Sequence, residues 1–120
     1  MEKSDVTWHQ WLIYSLIIIF ILTANIVFGQ IKVEQFNAGW NDANTVSWVQ
    51  SLTDCKTIGY TDIAKNPDYQ TKYKIAVIPT IIIFKDGEEA ARFQADLSFK
   101  MLATKEVLQE AIDDLLMTDF

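Results

Sequence analysis

The chain has 120 residues and a formal net charge of −6 at pH 7, enough for one domain and a short additional segment. A nucleic-acid backbone is bound through clustered Lys and Arg side chains, and this acidic sequence has no such cluster, so we expect no nucleic-acid partner. One cysteine, one histidine and four dispersed glycines leave no pattern for a metal site or a phosphate loop. We therefore expect no metal, no cofactor and no small-molecule substrate.

The first predicted element is a long apolar helix. Residues 8–28 contain no formally charged side chain and would span about 30 Å as an α-helix, which matches the hydrocarbon core of a bilayer. Aromatic rings favour the membrane interface, and three lie near one end of this segment: Trp8, Trp11 and Tyr14. We expect residues 1–30 to be a transmembrane anchor and residues 31–120 to be a separate domain.

A cleaved export signal is the alternative interpretation of this segment. Such a signal has a positive amino-terminal region, a shorter apolar stretch and a small residue before the cleavage site. Here Lys3 is balanced by Glu2 and Asp5, but Gly29 is a small residue in a suitable place, and cleavage there would release a protein that begins at Gln30. Both interpretations place the domain at or beyond a membrane, either in a bacterial envelope or at the mitochondrial inner membrane.

Residues 31–120 predict an α/β domain in the order β-α-β-α-β-β-α. The predicted strands cover residues 31–36, 57–63, 80–84 and 89–94, and the predicted helices cover 41–52, a short segment from Pro67, and 105–117. A right-handed crossover sets the first two strands parallel, and the Asp86-Gly87 turn makes the last two an antiparallel hairpin.

Helix caps and a buried stripe are also predicted. Asn41 or Asn44 is expected to cap the first helix, Asn66 the second and Thr104 the last, because short polar side chains accept hydrogen bonds from free backbone N–H groups. Apolar residues at helical spacing predict the buried face of the last helix: Val107, Leu108, Ala111, Ile112, Leu115 and Leu116.

Three segments of this domain resemble the thioredoxin family. FNAGW is similar to the end of the family's central strand and its active-site tryptophan, KYKIAVIPTIIIFKDGEEAARF to its cis-proline strand and hairpin, and EVLQEAIDDLL to its closing helix. The resemblance covers residues 31–117 and implies a thioredoxin-like sandwich. It does not include the strand and helix that often precede the family's central strand.

The resemblance implies that Asn41 and Asn44 occupy the positions of the family's two active-site cysteines. Because an amide cannot act as a thiolate, it also implies that dithiol exchange is absent. Gln35 stands where the family often has a buried carboxylate that accepts a proton, and Ala95 where it often has a glycine beside the substrate groove. We therefore expect a redox-inactive member of the family rather than an enzyme.

The family's partner-contact positions are retained at Trp40, Ile78 and Pro79. The resemblance implies that these residues contact a partner or an extended peptide, whereas the alternative is that Pro79 only shapes the edge of the sheet. Trp48 and Phe99 are further candidates for partner contacts if they are exposed.

Three functions are compatible with this pattern. The first is a membrane-anchored, non-catalytic accessory subunit of a membrane protein complex. The second is an exported, soluble peptide-binding protein that acts as a holdase. The third is an oxidoreductase that uses Cys55, the single thiol, although the sequence favours the interpretation of that cysteine as a small, partly buried apolar residue.

Overall fold

One four-stranded sheet forms the centre of the domain. The computed structural model describes residues 29–118, and the expected anchor at residues 8–28 lies outside them. Within residues 29–118, no helix is long and apolar enough to cross a bilayer. The strands are β1 (Ile31–Asn37), β2 (Thr57–Asp62), β3 (Thr80–Lys85) and β4 (Glu88–Gln94), and the helices are α1 (Pro67–Lys72), α2 (Lys105–Met117) and two 3-10 helices, Gly39–Asn44 and Ser47–Ser51.

The strand order in the sheet is β2-β1-β3-β4. β1 pairs with β2 in parallel, and the other neighbours are antiparallel, which confirms the predicted crossover and hairpin. In the hairpin turn, Asp86 and Gly87 both have positive φ angles, 52° and 87°. A turn of this kind matches the twist of the two strands, and glycine adopts it without steric conflict.

The sheet separates two hydrophobic clusters. Side chains alternate along β3, so Ile81 and Ile83 join one cluster and Ile82 joins the other, and all three are fully buried. The larger cluster lies between the sheet and the segments that carry Val46, Val49, Leu52, Leu108 and Ile112, while the smaller contains Phe36, Ala38, Ile63, Ile75 and Ile78.

The prediction of one helix over residues 41–52 is wrong. Two short 3-10 helices replace it, and Val46 lies between them with extended backbone angles (φ −83°, ψ 100°). Asn41 lies inside the first of these helices, and neither helix has a side-chain hydrogen bond at its amino terminus. The expectation that Asn41 or Asn44 caps a helix is therefore also wrong.

The other two helices begin close to where the sequence predicts. Thr104 caps α2 as predicted, because its Oγ1 accepts a hydrogen bond from the Val107 N–H (3.3 Å). Val107 itself is 46% exposed, so its place in the predicted buried stripe is wrong: it lies about 100° around the helix from the fully buried Leu108. α1 begins at Pro67, but the Asn66 side chain donates to the Asp62 carbonyl (3.1 Å) and does not cap the helix.

Candidate functional site

The candidate site begins at the carboxyl end of β1, where polar side chains are buried. Gln35 is 3% exposed and Asn37 is fully buried, and Asn41 follows in the first 3-10 helix at 4% exposure. Buried amides destabilise a fold unless their donors and acceptors are paired. All three are paired, and no buried side-chain N or O atom in the described part of the chain lacks a hydrogen-bond partner.

Gln35 is paired with the backbone of Val46. Its Oε1 accepts from the Val46 N–H (2.8 Å), and its Nε2 donates to the Val46 carbonyl (3.1 Å). These two bonds satisfy backbone groups that a continuous helix would pair within itself. The side chain of Gln35 thus holds the break between the two 3-10 helices in place.

A chain of amides links Asn41 and Asn44, the two positions for which the sequence resemblance implied the family's cysteines. Asn44 Nδ2 donates to Asn41 Oδ1 (2.8 Å), and Asn41 Nδ2 donates to Asn37 Oδ1 (3.0 Å). Asn37 Nδ2 in turn donates to the Asn41 carbonyl (3.2 Å) and to Thr45 Oγ1 (3.1 Å). Each amide supplies both a donor and an acceptor, and the Thr45 hydroxyl donates to Asp42 Oδ1 (3.3 Å), so the network ends on an exposed carboxylate.

The buried amides of this network offer neither a thiol nor a carboxylate. Amide side chains do not ionise at neutral pH, and Gln35 uses both of its polar atoms on Val46. Within residues 29–118, no group of His, Cys, Asp or Glu side chains is placed to hold a metal ion. The buried amides therefore stabilise the local structure.

An apolar cavity of about 410 Å³ lies beside this network. We call its most apolar wall the Trp40 face, formed by Trp40, Val77, Ile78, Leu97 and Phe99. Trp40 is 70% exposed and Leu97 is 91% exposed. The indole of Trp40 meets the ring of Phe99 edge to face, with centroids 5.6 Å apart. This geometry is a favourable one for two aromatic rings and fixes the position of the indole.

A tight loop after β4 presents two residues of the Trp40 face. Asp96 Oδ1 accepts hydrogen bonds from the Ser98 N–H (2.8 Å), the Ser98 hydroxyl (2.6 Å) and the Lys100 N–H (3.0 Å). The bond from Ser98 is the main reason that the pKa of Asp96 lies below its ordinary value. The loop therefore has its own hydrogen bonds, although Leu97 and Phe99 point away from the cores.

The predicted contact residues are distributed over both parts of the site. Trp40 and Ile78 line the cavity, whereas Asn41 and Asn44 belong to the amide network. The Ile78–Pro79 peptide bond is cis, and the Pro79 side chain is fully buried. A ligand in the cavity would accordingly meet Ile78 and not the ring of Pro79.

The other two candidate contact residues, Trp48 and Phe99, differ in their surroundings. Trp48 is only partly exposed and packs against the larger hydrophobic cluster, so it belongs to the core and not to a contact surface. Phe99 is 37% exposed and lines the cavity.

The sequence patterns did not identify Leu97 and Asn37 as residues of the site. The sequence signal that could have identified Leu97 is an apolar residue in a polar loop, and the signal for Asn37 is an amide at the end of a buried strand.

Cys55 lies apart from the cavity and packs against the larger cluster. Burial is the main cause that raises the pKa of its thiol, and the carboxylates of Asp54 and Asp113 raise it further. Its Sγ contacts the Thr53 carbonyl oxygen at 3.4 Å. A raised pKa lowers the thiolate fraction at neutral pH, which is the opposite of what a reactive thiol requires.

Comparison with known proteins shows which proteins the domain resembles. No family model matches the chain. Over 53 residues, however, the chain is 42% identical to thioredoxin Y1, chloroplastic, of Arabidopsis thaliana. Its fold is similar to the thioredoxin of Fasciola hepatica, with a TM-score of 0.52 and 25% identity over 79% of this chain and 89% of that one. The domain has a thioredoxin-like fold.

The likeness covers only part of the chain. The sequence match covers 44% of the thioredoxin-like chain and 31% of thioredoxin Y1, so it spans about a third of that relative. Thioredoxin 1 of Thermosipho africanus has a TM-score of 0.57 and 21% identity over 73% of this chain and 97% of that one. At this identity, the second structure shows a shared fold alone. The thioredoxin-like chain has a single cysteine, and therefore no pair of thiols within one molecule.

Proposed function

We propose that this chain is a non-catalytic, membrane-anchored subunit whose thioredoxin-like domain docks onto a partner protein of a membrane complex. The observation that carries the proposal is the Trp40 face, which exposes Trp40 and Leu97 beside an apolar cavity. Exposed aromatic and aliphatic side chains around a pocket are typical of protein contact sites. In this proposal, residues 8–28 hold the domain at the bilayer, and the Trp40 face makes the contact.

The lack of a cysteine pair in the sequence supports a binding role in this proposal. Asn41 and Asn44 stand at the two positions where the family has cysteines, and their side chains are bonded to each other. Gln35 stands in place of the family's buried carboxylate, and both of its polar atoms bond to the backbone of Val46. In this proposal, these residues stabilise the segment next to Trp40, and the domain keeps the family's fold but not its thiol reaction.

An oxidoreductase that uses Cys55 receives less support. Cys55 does not line the cavity, and its pKa is raised by burial and by two carboxylates. A thiol of this kind is a poor attacking group at neutral pH. A disulfide-reduction assay that compares the natural chain with Cys55→Ser should therefore give equal background rates.

A soluble peptide-binding protein is the second candidate. The apolar cavity next to Ile78 favours it, because an unfolded polypeptide exposes apolar side chains that such a cavity can accept. This candidate requires cleavage before Gln30, whereas the membrane-anchored subunit requires an intact residue 8–28 segment. The intact mass of the chain from its native source therefore separates the two.

The test of the leading proposal uses two exposed leucines. Leu97 lies on the Trp40 face and is 91% exposed, and Leu102 is 72% exposed but does not line the cavity. The full-length chain and its Leu97→Ser and Leu102→Ser variants would be expressed in the native membrane and extracted in mild detergent. We expect the natural chain and Leu102→Ser to migrate in a defined complex larger than the chain alone, and Leu97→Ser to be released from it.

Two outcomes would argue against the membrane-complex proposal. A full-length chain that runs only as free protein would leave no partner for the Trp40 face. Equal retention of Leu97→Ser and Leu102→Ser in the complex would place the contact elsewhere. If the mass begins at Gln30 and micromolar unfolded polypeptide binds to the natural chain but not to Leu97→Ser, the peptide-binding candidate takes its place.

A further inference from the structure

The two edges of the sheet differ in how they are protected from pairing with another strand. Exposed edges are commonly blunted by charges or irregularities. The edge strand β4 carries Glu88, Glu89 and Arg92, and its ladder with β3 has a register shift next to Ile83. The other edge strand, β2 (TIGYTD), has no proline and no charged residue before Asp62. In the part of the chain that the structure describes, β2 has a neighbour on one side only.

The hydrogen bonds between β1 and the residues around β2 show which backbone groups of β2 point away from β1. Immediately after β2, the Ile63 N–H donates to the Asn37 carbonyl (2.9 Å). Backbone groups alternate in direction along a strand, so residues 57, 59 and 61 turn toward β1. The N–H and C=O groups of Ile58 and Tyr60 are then directed to the open edge.

The hydrogen bonds on the other side of β1, toward β3, agree with this assignment. The Asp86 N–H donates to the Gln30 carbonyl (2.9 Å), and the register between β1 and β3 continues from this pair. Even-numbered residues of β1 therefore face β3, and its odd-numbered residues face β2. The Lys56 N–H, just before β2, donates to the Ile31 carbonyl (2.7 Å), so the open edge starts at Ile58.

The sequence of β2 is complementary to itself when reversed. If a second copy of β2 is laid antiparallel with Gly59 opposite Gly59, then Ile58 faces Tyr60, Thr57 faces Thr61, and Lys56 faces Asp62. A β-branched residue opposite an aromatic one, two threonines, and a lysine opposite an aspartate are all favourable cross-strand pairs. In the same register, the open groups of Ile58 meet those of Tyr60, which allows four backbone hydrogen bonds across the two-fold axis.

We propose that two copies of this chain associate through antiparallel pairing of their β2 edges, which joins two four-stranded sheets into one of eight strands. The occupant of the edge is a second copy because the reversed pairing is matched in side-chain type along the strand and in charge at both of its ends. Lys56 is the last charge before the strand and Asp62 the first within it, so reversal brings opposite charges together at both ends. This interface is separate from the Trp40 face and does not depend on its function.

Cross-linking without a spacer tests the predicted register directly. A carbodiimide joins a lysine amine to a carboxylate only when the two groups touch. Within one extended strand, Lys56 and Asp62 are about 20 Å apart, at roughly 3.3 Å per residue, so an amide between them must join two chains. We expect mass spectrometry of the full-length chain in detergent to find the Lys56–Asp62 linkage in the dimer fraction.

Two variants of Tyr60 test the backbone bonds. Tyr60→Pro removes the outward N–H and should raise the dimer dissociation constant by about tenfold or more, since it affects both halves of the two-fold interface. Tyr60→Val keeps the N–H and the strand preference, and should stay within about threefold of the natural chain. Circular dichroism of each variant checks that the domain is folded.

A charge variant tests the interface without touching the backbone. Lys56 is exposed, so Lys56→Glu leaves the fold intact but sets two carboxylates opposite each other at each end, and should weaken the dimer about tenfold. Lys56→Arg is the matched control and should retain the dimer. A chain that remains monomeric at all concentrations overturns the proposal. So does a dimer that lacks the Lys56–Asp62 linkage and is equally stable in Tyr60→Pro and Lys56→Glu.

Discussion

Gln35 is a single residue that shows why a neutral amide and not a carboxylate is buried at the end of β1. Its carbonyl oxygen faces an N–H donor, and its amide nitrogen faces a carbonyl acceptor, both on Val46. An ionised carboxylate would satisfy the N–H but would present a second acceptor to the Val46 carbonyl. Only a side chain with one donor and one acceptor fits this contact.

Replacing Gln35 with Glu should therefore make stability depend on pH. Burial and the facing carbonyl would raise the folded-state pKa of the new carboxyl above its ordinary value of about 4.3. Below that ordinary value the carboxyl is protonated in both states, and the variant should be nearly as stable as the natural chain. As pH rises through the interval between the unfolded and folded pKa values, stability should fall by about 1.4 kcal/mol per pH unit and then level off.

Urea unfolding at pH 4 and pH 7 measures this effect, with an expected additional loss of about 2–4 kcal/mol at pH 7. Gln35→Met, which has a similar volume and no charge, is the control and should lose the same free energy at both pH values. A Gln35→Glu variant whose stability relative to the natural chain does not change with pH would contradict the account of this contact.

Cys55 gives a second pH-dependent prediction. Because burial and the carboxylates of Asp54 and Asp113 raise its pKa, alkylation by iodoacetamide at pH 7 should be slower in the folded chain than in urea, by about tenfold or more. The rate in the folded chain should continue to rise with pH beyond the range where an ordinary thiol is already ionised.

Asp54→Asn should accelerate this alkylation, because it removes one of the charges that disfavour the thiolate. The substitution suits the backbone, since residue 54 has a positive φ of 65° and asparagine tolerates this region well. Asp68→Asn, in α1, is the control and should leave the rate unchanged. An Asp54→Asn rate equal to that of the control would show that the carboxylate has no influence on the thiol.

At the scale of an element, the first 3-10 helix sets the geometry between Asn41 and Asn44. The backbone is kinked at Asn41, whose φ and ψ angles (−108°, 22°) are not helical, and the two amides are in direct contact (2.8 Å). The same spacing suits a disulfide, for which the Cα atoms lie about 5.5 Å apart.

The variant Asn41→Cys plus Asn44→Cys, made in a Cys55→Ser background, should therefore oxidise within one chain. The measurement is the loss of two hydrogens in the intact mass, with the disulfide located by peptide mapping. A control with cysteines at 41 and 43, which do not face each other, should remain reduced under the same conditions. Free thiols in both variants would mean that the geometry of this helix is different.

At the scale of the whole molecule, the sheet couples two hydrophobic clusters. Ile82 is fully buried in the smaller cluster, and its neighbours Ile81 and Ile83 are fully buried in the larger one. A change in one cluster consequently acts on a strand that the other cluster also needs.

Ile82→Ala should lower the free energy of unfolding by about 2–5 kcal/mol, because it removes buried methyl groups and leaves a cavity. Tryptophan fluorescence and far-ultraviolet circular dichroism should still report a single, coincident urea transition. Leu102→Ala, at an exposed position, should change stability by less than about 0.5 kcal/mol. Two separate transitions in Ile82→Ala would show that the clusters unfold independently.

Local patterns in the sequence were sufficient to predict the strands, the hairpin turn and the last helix. The apolar run from Ile81 to Ile83 reflects a strand buried on both faces, and Asp86-Gly87 is read from turn chemistry alone. These features depend on residues that are close together in the chain. For this reason, they are visible before any tertiary contact is known.

Residue patterns along the chain were enough to predict the thioredoxin-like fold, and the family resemblance implied that Asn41, Asn44 and Gln35 stand where the family has two cysteines and a buried carboxylate. Only the tertiary structure decided that the predicted helix over residues 41–52 breaks at Val46, since the bonds that break it come from Gln35 on another element. It also decided that Trp40, Ile78 and Phe99 meet around one cavity. The physical reason is the same in both cases: these contacts join segments that are distant in the chain, and sequence periodicity carries no information about them.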